Sequence, residues 1–140
     1  MLSVSLRELG VWPAVWLTGA RGDHPPEVDI FEYNNRPHRG EFLSFNVYQD
    51  ADPEGGDVIQ RPCPDVGKRT EYRCVLELVA GTADVRVTYF MGGRELGAHV
   101  GVEYANREMY LIANMQMTPS ATVEEAWMEI HSMRVARWAA

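Results

Sequence analysis

A period of two runs through most of this chain. Residues 11–17, 27–33, 42–48, 72–79 and 83–91 are short runs rich in Val, Tyr, Phe and Thr, the residues that suit a pleated, half-buried surface. In the first, Trp12 and Trp16 alternate with Pro13, Val15 and Leu17, so an extended chain presents two different faces. Turn chemistry separates the runs. Gly92-Gly93 sits where a two-residue hairpin requires positive φ, and Gly19 and Gly81 mark other reversals. The pattern predicts an all-β fold of antiparallel strands. Residues 50–68, with three prolines, three glycines and five acidic residues, read as the longest loop. One segment stays ambiguous. Val123, Trp127, Ile130, Arg134 and Trp138 fall at helical spacing behind a Thr122/Glu125 capping box, yet residues 128–138 also read as a strand.

Composition narrows the partners. With 140 residues, 46% hydrophobic and 24% charged, the chain can build one packed core, and no second domain, repeat or low-complexity tract is visible. Thirteen Lys+Arg against 20 Asp+Glu give a formal charge of −7, a field that opposes tracking a phosphate backbone, so nucleic acid is not an expected partner. No window approaches an apolar membrane span, and no basic, apolar leader is visible at the N-terminus. Cys63 and Cys74 are spaced to permit a disulfide without requiring one. His24, His38, His99 and His131 share no metal-ligand spacing with each other or with the cysteines, so neither metal nor cofactor is expected.

The chemistry is concentrated in residues 11–33. Glu27, Asp29 and Glu32 put three carboxylates within six residues of otherwise apolar sequence. On a regular strand Glu27 and Asp29 share a face and Glu32 lies on the other. A bulge at Ile30-Phe31 shifts the parity and brings all three acids to one side. The plainer reading is an edge strand with exposed acids. Trp12 and Trp16, on one face of the preceding strand and spaced as stacking platforms for sugar rings, weigh against it, although either ring also suits a core.

GVWPAVWL, a short loop and EVDIFEY resemble the catalytic signature of glycoside hydrolase family 16, the laminarinase-like group of the concanavalin A-like β-sandwich (jelly roll). The resemblance continues through residues 72–96, where VTYFMGGREL is similar to the family's tyrosine-rich strand, turn and strand, and through MYLIANMQM at 109–117. MEIHSMRVAR at 128–137 resembles the family's closing strand, which favours a strand over a helix there.

This resemblance implies a retaining endo-β-glycosidase acting on a polysaccharide by double displacement. Glu27 is then the nucleophile, Asp29 its partner and Glu32 the acid/base, while Trp12, Trp16, Asn46 and Gln116 are candidate sugar contacts. The bulged spacing is typical in the family of enzymes acting on β-1,3-glucans or related galactans. Two long glutamates leaning together reach the roughly 5 to 5.5 Å separation of a retaining pair. The chain departs from the family at Asn46, where a histidine is common, at the residue after Glu77, where a tryptophan is common, and at Ala136, a usual tyrosine. His131 stands in place of a calcium-ligating aspartate, and imidazole is a poor ligand for that hard cation, so no calcium is expected.

Sandwiches of this kind run to roughly 200 to 250 residues. The resemblance starts within about ten residues of Met1, so residues 1–140 are expected to be one domain, the C-terminal part of a complete sandwich. Open sheet edges then predict self-association or a completing partner chain. The family implies action outside the cell or at a virion surface. The alternative function is a non-catalytic carbohydrate-binding or structural module of a larger assembly.

Overall fold

A strand with one apolar side needs a second layer to cover it, and the later strands of the chain supply that layer. A computed structural model describes residues 2–5, 10–36, 40–49, 56–63, 68–119, 121 and 126–137. The strands are β1 (Leu2–Ser5), β2 (Val11–Gly19), β3 (Glu27–Arg36), β4 (Gly40–Tyr48), β5 (Gly56–Pro62), β6 (Tyr72–Leu78), β7 (Val85–Met91), β8 (Arg94–Gly101), β9 (Met109–Met117) and β10 (Trp127–Ile130). One sheet has the order β5-β4-β3-β2-β9, a second the order β6-β7-β8, and β1 pairs with β10. Every pairing is antiparallel. The result is an all-β sandwich of the jelly-roll type, with no helix among the described residues and so none long and apolar enough to cross a membrane.

Alternation decides which side of the larger sheet is the core. Val11 and Val15 of β2, Val28, Phe31 and Tyr33 of β3, and Leu43, Phe45 and Val47 of β4 point inward to meet Val87 and Tyr89 of β7. Burying each of the larger side chains stabilises the fold by roughly 1.5–3 kcal/mol before entropy is counted. Aromatic contacts join the layers. The Tyr72 ring lies 4.5 Å from that of Phe31, and the Tyr89 ring 5.6 Å from that of Phe45. The Tyr89 hydroxyl donates to the Asn46 carbonyl at 2.7 Å, which avoids an unmet polar group in the core. Glycine matters where β8 closes on β5, because a Cβ at Gly97 would lie 2.8 Å from Ile59 Cδ1. Gly92 and Gly93, at φ 58° and 81°, form the two-residue β7–β8 hairpin turn that the sequence predicts.

Two expectations need correction. Residues 50–68 are not one loop, because β5 lies within them. As an edge strand β5 tolerates Pro62, and only Val58 and Ile59 gave it apolar character. The closing strand is shorter than expected: β10 ends at Ile130, and residues 131–137 are exposed and without regular structure. The helix considered for 122–138 is absent from residues 126–137, while 122–125 and 138 lie outside the described residues. No disulfide joins Cys63 and Cys74.

Pro13 sits in a strand flanked on both sides, where a missing N–H is usually harmful. The ladder between β2 and β3 starts at Ala14, so Pro13 falls just beyond its end and is paired with Met115 of β9.

Candidate active site

β3 carries one residue more than either neighbour accommodates. On the β2 side Val15 pairs with Phe31 and Trp16 with Asp29; on the β4 side Asn46 pairs with Asp29 and Ser44 with Glu32. Both ladders absorb the extra residue between Asp29 and Glu32, which is the bulge that the parity of the acids predicts. Its effect is twofold. Val28, Phe31 and Tyr33 all remain in the core, while Glu27, Asp29, Glu32 and Asn34 all fall on the opposite face.

That face is continued by the flanking strands. Trp16 lies across from Asp29, Ala14 from Glu32 and Thr18 from Glu27. Trp12 is on the same side of β2, opposite Gln116 of β9. Both tryptophans are half-buried. The Trp16 indole N–H donates to Asn114 Oδ1 at 3.1 Å, which fixes the plane of the ring. Trp12, Trp16, Asn46 and Gln116 therefore share the face of the three acids.

Each carboxyl has a different environment. Glu27 is half-buried, and burial raises its pKa; His24, whose Nδ1 lies 3.9 Å from Glu27 Oε2, opposes that shift, and Glu32 adds to it. Its backbone is tied down by Tyr104, whose hydroxyl accepts from the Glu27 amide at 3.0 Å and faces the carbonyls of Glu27 and Tyr48. Asp29 is 5% exposed, and burial pushes its carboxyl up to about 8, against a hydrogen bond from Asn46 and with help from Glu32 and Glu27. Asn46 Nδ2 donates to Asp29 Oδ2 at 2.6 Å. Asn46 is itself 3% exposed, so its amide is committed to the carboxyl and has little contact with solvent. Glu32 Oε2 accepts from Ser44 Oγ at 2.9 Å and from Asn34 Nδ2 at 3.1 Å.

Four of these residues are not among the sequence candidates: His24, Asn34, Ser44 and Tyr104. A signal existed for two of them. Ser44 alternates with Leu43 and Phe45 in β4, and Asn34 lies two residues beyond Glu32, so parity alone aims both toward the acids. His24 and Tyr104 come from loops, where spacing carries no directional information. The arrangement offers one half-buried carboxyl, one neutralised by burial and one held by two donors. Such differentiated carboxyls are what divided proton-transfer and nucleophilic roles require.

No protein-family model matches the chain, and no solved structure does. Over 113 residues, 81% of this chain, the sequence is 29% identical to "Galactan endo-beta-1,3-galactanase" of Flammulina velutipes. The chain spans 43% of that protein's length.

Proposed function

We propose that this chain is a glycoside hydrolase domain of the family 16 type, with a concanavalin A-like sandwich, cleaving β-1,3-linked galactan or a related β-1,3-glucan with retention of configuration. The observation that carries this reading is the bulge that gathers Glu27, Asp29 and Glu32 on one face beside Trp12 and Trp16. Similarity to a galactanase supports the choice of polymer.

In this mechanism Glu27 attacks the anomeric carbon as Glu32 gives its proton to the departing glycosidic oxygen, whose bond to that carbon breaks. Glu32, now ionised, takes a proton from water. The water oxygen bonds to the anomeric carbon, and Glu27 leaves as a carboxylate. Asp29 stays neutral near pH 7, since burial pushes it up to about 8, so it adds no further negative charge beside Glu27.

The test is reducing-end release from β-1,3-galactan, laminarin, lichenan, agarose and carrageenan, with Glu27→Gln as control. Release from the first or second substrate, lost in the control, is the expected result. Binding to these polymers without release would favour the carbohydrate-binding alternative.

A further inference from the structure

We propose that Ser44 and Asn34 are positioning residues that decide which oxygen of Glu32 carries the acid proton. This rests on the reading of Glu32 as the acid/base and extends it to residues outside the three acids.

The direction of each hydrogen bond is forced. Asn34 Nδ2 lies 2.7 Å from Ser44 Oγ and 3.1 Å from Glu32 Oε2, and an amide nitrogen can only donate. Ser44 is therefore the acceptor toward Asn34, and its single hydroxyl hydrogen points to Glu32 Oε2 at 2.9 Å. Asn34 and Ser44 are each 3% exposed, so water does not compete for these donors. Glu32 Oε2 thus receives two hydrogen bonds, a full set for a carbonyl-type oxygen in the plane of its group.

No donor among the described residues is seen at Oε1. A protonated carboxyl has one carbonyl oxygen and one hydroxyl oxygen. With Oε2 filled by two donors, a proton there would face other hydrogens, so it resides on Oε1. In the first step the Oε1–H bond breaks as the leaving oxygen gains the proton. In the second, Oε1 recovers a proton from the attacking water. One oxygen serves both steps, and the carboxyl does not have to turn over between them.

A residue that merely stabilised the fold would lower activity on every substrate alike, whereas one that positions the acid proton matters only where the leaving group needs that proton.

The experiment compares the parent, Ser44→Ala, Ser44→Thr, Asn34→Ala and Glu32→Ala on the polymer and on an activated aryl β-glycoside whose leaving group needs no protonation. Ser44→Ala and Asn34→Ala should each lose on the order of 10- to 100-fold on the polymer but less than about threefold on the aryl glycoside. Ser44→Thr, which keeps the hydroxyl, should recover most of the polymer activity. Equal losses on both substrates, while Glu32→Ala still separates the substrates, would overturn the proposal alone. Failure of Glu32→Ala itself to separate them would remove the acid role of Glu32, and this inference with it. Should the alanine variants fold poorly, the pair Ser44→Thr and Ser44→Val decides: polymer activity kept in the Thr variant and lost in the Val variant of the same shape supports a role for the hydroxyl, and equal polymer activity in the two opposes it.

Discussion

Asn46 Nδ2 meets Asp29 Oδ2 at 2.6 Å between two adjacent strands, both residues almost fully enclosed. The bond favours the ionised carboxyl, yet burial outweighs it and pushes Asp29 up to about 8. A proton is therefore held more tightly in the folded chain than in the unfolded one, where aspartate titrates near ~3.9. Below about 4 both states are protonated and this source of stability is fully present. Between about 4 and about 8 only the unfolded chain has released its proton, so stability falls as pH rises through that window, with a slope approaching ~1.4 kcal/mol per pH unit. Urea unfolding across pH 4 to 8 should show that fall, and Asp29→Asn should flatten it and be the more stable protein at the upper end. A parent whose stability does not decline would contradict the buried neutral carboxyl.

Glu27→Gln changes charge with little change in shape. Hydrolysis should drop by a factor on the order of 10³ or more, with the unfolding midpoint close to that of the parent. Activity within about tenfold of the parent would exclude Glu27 as nucleophile.

Burial and Glu32 raise Glu27, while His24 at 3.9 Å opposes the rise. The acidic limb of kcat/KM should consequently lie above the ordinary glutamate range. In His24→Ala it should move further up, because the opposing charge is gone. A limb that moves down, measured on the same substrate, would reverse the assigned sign.

Double displacement fixes the stereochemistry of the first product. NMR during hydrolysis of a β-linked oligosaccharide should show the β anomer accumulating before mutarotation. An initial α anomer would indicate direct attack by water and would refute covalent attack by Glu27.

Leu76 and Leu78 lie 42% and 65% exposed on β6, on the side that faces the core at their partners Val87 and Val85. Among the described residues β6 is also a sheet edge, with backbone groups open to pairing. Sedimentation should therefore show association that grows with concentration, reduced in Leu76→Lys/Leu78→Lys. A monomer at every concentration would argue that these leucines are simply tolerated at the surface.

The face of each site residue carried on a strand was legible from parity. Three carboxylates that disagree with a two-residue period by one position called for one extra residue between Asp29 and Glu32, and both ladders place it there. The ends of elements were less legible. β5 has little apolar sequence because, at the edge of its sheet, it has one neighbour and limited burial to satisfy. Residues 131–137 alternate like a strand, but alternation describes a chain's readiness to pair and does not set where a ladder ends. The loop contributions, His24 beside Glu27 and Tyr104 behind it, depend on how distant segments fold together, which no local spacing encodes.

An insertion of one residue into a strand ordinarily turns over every side chain beyond it. Ile30 does not do this to the core, because β2 and β4 lose register at the same point and recover together, leaving Tyr33 inward and Asn34 outward. Without Ile30 the order Glu27, Val28, Asp29, Phe31, Glu32 would alternate as a regular strand and assign every residue to the same side as now. The extra residue is therefore silent to the hydrophobic interior and expressed only as the spacing and tilt between Asp29 and Glu32. Chain length at this one position is a dial on site geometry that packing does not oppose, so a lineage or an engineer can lengthen or shorten the acidic segment while the sandwich around it stays the same.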